Sequence, residues 1–345
     1  MNLILLIPGI IILALVVYDV IYTTLAPSGA APVSGHVSNG IWHIFYSLKR
    51  ITGNRNVLKG AGVVIVVFIL MTWVIMLWLA NFLIFSSATD SVVNSTTNEL
   101  ATPKQVLYYT GYLLSTMGNG DYKAGTDNWR VYSAIISFSG LIMITIAITY
   151  VVPVVNAVTQ RRALSIRIAS IGHSVQLMLL NNWNGKNFKM LEDQFQELAQ
   201  QVTKQGQLHF SYPVLHFFHH QNKIASLLPN LAMLDEAITI LMLYIPEEKQ
   251  PAKQFLIPLR IALTTFLQSL STTFIQPSEE PPSLETEAIR KAGINLMSPD
   301  AETLEQVKYR RCILKTMVLH DGWEWEDLNK PLLSPKWDAF SKLTL

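Results

Sequence analysis

Three apolar stretches of the chain carry almost no charged residues: 3–18, continuing past Asp19 to 25; 61–85; and 131–158. A helix rises about 1.5 Å per residue and a hydrocarbon core is about 30 Å thick, so roughly 20 residues suffice to cross it. The pattern predicts three transmembrane helices, the first being an N-terminal helix within 1–25. A cleavable leader is the alternative for that first stretch, although it lacks the basic residues that usually open one. Residues 26–60 read as a linker that begins with a Pro- and Gly-containing turn at 26–32. Within it Ile41, Ile44, Phe45 and Leu48 share one helical face beside Trp42, Lys49 and Arg50. That pattern fits an amphipathic helix lying at a membrane interface or packed against neighbouring subunits.

From residue 159 to 345 hydropathy falls, and Pro and Gly punctuate segments of helical period. The pattern predicts helices over 188–204, 214–228, 231–245, 252–274 and 301–319, with no strand-rich segment. The expected fold is an all-α membrane protein with a mostly helical extramembranous domain at its C-terminal end.

Half of the 345 residues are hydrophobic and 14% are charged, which agrees with several membrane spans. The formal charge of +2 offers no argument for nucleic acid as a partner. Where the cations lie is more telling. Lys49, Arg50, Arg55 and Lys59 fall between the first two spans, and Arg161, Arg162 and Arg167 follow the third. The positive-inside rule then puts the N-terminus outside the cell membrane and residues 26–60 and 159–345 in the cytoplasm. Cys312 is the single cysteine, so no intrachain disulfide is available.

The loop between the second and third spans carries the chemistry. Residues 86–102 are rich in Ser, Thr and Asn, after which Pro103 opens a helix over 103–115 that is too short to span. A short helix, a Gly-x-Gly turn and a long apolar helix describe a re-entrant loop, whose irregular backbone survives at membrane depth only where it lines a water-filled path. From Val106 the chain reads Val-Leu-Tyr-Tyr-Thr-Gly-Tyr-Leu-Leu-Ser-Thr-Met-Gly-Asn-Gly-Asp, ending at Asp121. This segment resembles the pore helix and selectivity filter of the potassium-channel superfamily, and the resemblance covers about residues 61–158.

The resemblance implies an outer helix at 61–85, a pore helix at 103–115, a filter at 116–121 and an inner helix at 131–158. Tyr108 and Tyr109 take the place of the family's aromatic pair, with Tyr112 a turn beyond. Thr116 stands at the filter threonine, Gly118 and Gly120 at its glycines and Asp121 at its closing acid. Gly140, nineteen residues after Asp121, stands where the inner helix has its flexible glycine. Pro153 would kink that helix, with Val151, Val152 and Val155 as an apolar gate, and Ile144, Ala147 and Ile148 are candidates to face the cavity. Such a filter replaces a cation's hydration shell with rings of backbone carbonyls from four chains. The expected assembly is therefore this chain with three further copies in lipid, passing potassium, or sodium as well, without a cofactor, its cytosolic domain gating the tetramer in response to an unknown ligand or assembling it. The alternative is a membrane-anchored sensor or scaffold that keeps the pore fold without conducting. No enzyme motif is present. Glycine at 118 and 120 would supply the positive φ that an alternating backbone demands.

Met117 and Asn119 depart from the family, which usually has Val and an aromatic there. Asn119 either hydrogen-bonds to Tyr108 or Tyr109, or leaves the outer filter wide enough to weaken discrimination against sodium. Elsewhere, Asp19 and Asn81 are polar residues near span ends and are expected either to reach the membrane interface or to be capped by a neighbour's polar group. His216 and His220 have the i, i+4 spacing with which one helical face grips a metal ion, although no cysteine or acid pair completes the set.

Overall fold

Helix α1 (Leu3–Leu25) opens with the Asn2 side chain accepting from the Ile4 amide. It packs along α3 (Ala61–Ser86). On α3, Ala61, Ile65, Ile69, Trp73, Leu77, Ala80 and Ile84 recur every three or four residues and are buried, whereas Val63, Val67, Met71 and Ile75 on the other side are exposed. A helix that is apolar all round and half uncovered suits lipid rather than water. The computed structural model describes residues 1–26, 31–271 and 279–330, so residues 27–30 of the linker, 272–274 of the helix expected to reach 274, and 331–345 lie outside them.

The chain divides into two units. The first holds Met1–Ile51, Gly60–Asn156 and Ser211–Phe217. Its α2 (Pro32–Thr52) is longer than the amphipathic piece at 41–50. The reason is Asp19. This carboxylate, 1% exposed, lies on α1 and accepts from the first amides of α2, Val33 at 2.8 Å and Ser34 at 3.2 Å. It also accepts from the Ser34 hydroxyl and, at 2.8 Å, from the Trp73 indole. An intramembrane acid thus serves as the N-cap of another helix. Asp19→Ala would strand four donors, and the expected loss is about 3 kcal/mol or more. Asp19→Asn keeps one carbonyl oxygen and should lose less. Denaturant midpoints of the two variants in detergent check both values.

Beyond α3, strands β1 (Val92–Asn94) and β2 (Tyr122–Ala124) pair antiparallel and enclose α4 (Pro103–Leu114). Helix α5 (Asp127–Ile171) runs unbroken for 45 residues, through Pro153 and well past the expected end at 158. Its residues to Asn156 belong to the first unit and those from Ala157 to the second.

The second unit comprises Thr52–Lys59, Ala157–Phe210 and Phe218–Leu345. Its centre is α8 (Leu227–Tyr244), whose residues from Leu227 to Leu241 are all buried. Around it are α6 (Val175–Leu180), α7 (Glu192–Ser211), α9 (Lys253–Ser271), α10 (Glu287–Lys291) and α11 (Ala301–His320). Phe188, Phe195, Leu198, Leu234, Ile238, Leu259, Phe266, Leu314 and Met317 belong to one core. The described residues contain four helices long and apolar enough to cross a membrane, α1, the helix ending at Ser86, α5 and α8. In α8, 83% of the apolar window is covered by protein. It also holds two buried acids, Asp235 bonded to Arg260 and Arg310, and Glu236 bonded to Arg311.

One expected helix is absent. Residues 214–228 form 3-10 turns at Pro213–Phe217 and Lys223–Ala225 with non-helical backbone between. The carbonyls of Phe218 and His220 bond sideways to the Arg161 and Arg55 guanidiniums at 2.6 and 3.0 Å, which takes them out of a helical ladder. His216 and His220 therefore do not share a helical face, and the metal reading based on that spacing is withdrawn. Among the described residues no group of three or more His, Cys, Asp or Glu could hold a metal ion. Burial, reinforced by Arg161, pushes the His209 imidazole down to about 3, so it is neutral at ordinary pH.

Candidate functional site

Helix α4 begins where the sequence expects it. Pro103 needs no amide partner in the first turn, and the Gln105 side chain accepts from the Thr102 amide at 2.8 Å. Its C-terminal end is closed by the amides of Thr116 and Met117, which reach back to the carbonyls of Leu113 and Tyr112 at 3.1 and 3.0 Å. The chain then leaves helical geometry in a regular way. Thr116, Gly118 and Gly120 have φ of 57°, 61° and 80°, whereas Met117 and Asn119 are not left-handed. Alternate residues over five positions are thus left-handed. Thr116 takes this conformation despite its β-branched side chain, at a cost of about 1–2 kcal/mol for an L-residue.

Three tyrosines of α4 fasten this segment, each by a different bond. Tyr109 is buried edge-on against Phe85, with centroids 5.3 Å apart, and its hydroxyl meets the Ser133 hydroxyl of α5 at 2.7 Å. Tyr112 donates to the carbonyl of Tyr122. Tyr108 accepts from the Asn119 side-chain amide, so of the two partners open to Asn119 the structure has Tyr108. Asp121 takes part through its backbone, its carbonyl accepting from the Ser95 amide at 2.9 Å. On the far side of α4, the Trp78 indole donates to the Leu107 carbonyl and the Thr110 hydroxyl at 3.0 and 3.1 Å. Buried Asn81 accepts from the Tyr132 hydroxyl at 2.9 Å and donates to the Leu77 carbonyl at 2.8 Å. It is satisfied by neighbours, one of the two expected outcomes.

Gly140 meets the end of α4 directly. A Cβ there would stand 2.0 Å from the Leu114 carbonyl oxygen, so only glycine lets α5 pass the C-terminus of α4 at this distance. Beside this contact lies a cavity of about 510 Å³ lined by Trp78, Tyr112, Ser115, Met117, Gly140 and Ile144 among others. Further along α5, Ile144, Ile148, Val152 and Val155 are exposed in the single chain, Ala147, Val151 and Pro153 half-buried.

The chain is similar to the uncharacterized membrane protein YdjJ of Bacillus subtilis (strain 168), with 29% identity over 324 residues that cover 92% of this chain and 94% of that protein. No family model and no solved structure matches it. With several long apolar helices in addition, the conclusion is direct. This is a multi-pass membrane protein.

Within it, Thr116 to Asp121 follow directly on the C-terminal end of the short helix α4. Trp78, Ser133, Tyr122 and Ser95 support that terminus, and no sequence pattern marked them. Each lies more than ten positions from the residue it holds, except Tyr122, and each acts through hydrogen bonds that composition does not reveal. Met117 is 65% exposed in the single chain.

Proposed function

We propose that this chain is one of four identical subunits of a potassium-conducting cation channel. The observation that carries the reading is the alternation of left-handed residues at Thr116, Gly118 and Gly120 directly after the short helix α4. Alternating hand turns successive carbonyls to the same side of the strand, and four such strands around an axis supply stacked oxygen rings for a dehydrated cation. The C-terminal end of α4 adds the negative pole of a helix dipole. One strand per chain cannot close a ring, so the assembly has fourfold symmetry. In this reading α1, α3 and the apolar part of α5 span the cell membrane with the N-terminus outside. Helix α8, sheathed by its neighbours, belongs to a cytosolic domain open to control by a ligand. Gly140, Pro153 and the valines at 151, 152 and 155 serve the inner helix as hinge and gate.

The Asn119 to Tyr108 hydrogen bond supports potassium over mixed conduction, because it braces the outer filter where the superfamily uses an aromatic. Purified protein in planar bilayers tests the proposal. Unitary currents blocked by barium are expected, with a potassium to sodium permeability ratio well above one from bi-ionic reversal potentials. A ratio near one would replace the selective reading by a non-selective cation channel. Absence of current, or a particle smaller than four chains in mild detergent, would leave a membrane-anchored sensor or scaffold.

A further inference from the structure

Asp321 lies just beyond α11, is 1% exposed, and gathers cations from two distant parts of the chain. Its carboxylate Oδ1 is 2.6 Å from His219 Nδ1 and 3.7 Å from a guanidinium nitrogen of Arg161, a residue of α5 that is itself 2% exposed. Its backbone carbonyl accepts from Arg55 at 3.2 Å. The Arg55 guanidinium also lies over the Trp323 ring, 3.3 Å from its centroid. Burial works against charge on Asp321, yet His219, followed by Arg161 and Arg55, outweighs it and holds the carboxyl below its ordinary value. The chain after Asp321 is pinned too. Lys223 donates to the carbonyls of His173, Leu328 and Lys330 at 3.2, 3.0 and 3.3 Å.

The positions of the two arginines give this cluster its meaning. Arg55 opens the 3-10 turn Arg55–Gly60, which runs without a gap into α3 at Ala61. Arg161 follows the apolar part of α5 by three residues in the same unbroken helix. The cluster thus joins the segment that enters one long apolar helix to the segment that leaves another, through one residue of the C-terminal region. Buried ion pairs of this kind add little net stability but are costly to break singly.

We propose that Asp321 is a latch that holds Arg55 and Arg161 at a fixed separation, so that releasing it shifts the pore between open and closed states. The gating half of this inference rests on the channel reading above, and the mechanical half does not. The full-length chain carrying Asp321→Asn, which keeps the volume and removes the charge, is compared with the unaltered chain. Hydrogen exchange at amides of residues 157–165, around the Arg161 that loses its ion pair, is expected to rise about tenfold or more while α8 amides keep their rates, and Arg55 keeps its bond to the Asp321 backbone carbonyl. In bilayers the open fraction is expected to shift by about tenfold at unchanged unitary conductance and permeability ratio. Exchange that stays the same, or rises uniformly including α8, overturns the latch, and so does an unchanged open fraction in a conducting protein. If the unaltered chain passes no current, the channel reading fails and the exchange result still decides the mechanical half. Should Asp321→Asn fail to accumulate, Trp323→Leu loosens Arg55 without leaving a buried charge, and a local rise in exchange of the same size is expected at residues 55–60.

Discussion

On the channel reading proposed above, alanine at Gly118 or Gly120 is expected to abolish unitary currents while leaving a folded particle of four chains. At φ of 61° and 80° these residues occupy a region that costs an L-residue about 1–2 kcal/mol. In the proposed fourfold ring the cost would repeat, to about 4–8 kcal/mol per substituted position. No atom lies within 4 Å of a Cβ built at either glycine, so the penalty is conformational rather than steric. The filter backbone can relax toward negative φ without disturbing α4 or α5, and a strand that relaxes no longer presents its carbonyls in register. Bilayer recording beside the particle mass in detergent checks the pair of outcomes. Currents that persist unchanged would remove Thr116 to Asp121 from the ion path.

Gly140→Ala should give the opposite pattern, a fold defect. Its Cβ would fall 2.0 Å from the Leu114 oxygen and 2.8 Å from the Leu114 carbonyl carbon, both backbone atoms at the end of α4. Neither can rotate away, so α4 and α5 must separate. Overpacking usually costs about 1–3 kcal/mol and the backbone contact puts this case at the upper end or beyond. Gly40→Ala is the control, because nothing lies within 4 Å of that site on α2 and alanine is the better helix former by about 1 kcal/mol. Thermal unfolding followed by tryptophan fluorescence should therefore fall sharply for the first variant and hold or rise for the second. If Gly140 acted only as a hinge, its alanine variant would unfold normally and differ in open fraction alone.

Local signals were the legible ones. The apolar runs at 3–25, 61–85 and 131–158 and the Pro103 start of α4 are properties of short windows, and the structure has helices there. Asn119 was within reach because its candidate partners, Tyr108 and Tyr109, lie in the same motif. What escaped was fixed by partners far away. Asp19 extends α2 back to Pro32 from fourteen or fifteen residues upstream, and Arg55 and Arg161 unmake the helix expected over 214–228. Hydropathy reports where a residue prefers to be, not which distant carbonyl its side chain will take. The continuation of α5 past 158 was hidden for a related reason: apolar character ends near Gln160, but helix does not require it. Strands of three residues, as in β1 and β2, are too short for alternation to register.

The β1–β2 ribbon changes what the loop after α3 is for. Ser95, next to β1, bonds to the Asp121 carbonyl, and the exposed turn at Thr96, Thr97 and Asn98 caps the same structure. On the reading proposed here, this exposed outward turn adjoins a residue that is one backbone hydrogen bond from the outer mouth of the ion path. A toxin, antibody or labelling reagent that seizes that turn would hold a handle on conduction itself, without entering the pore.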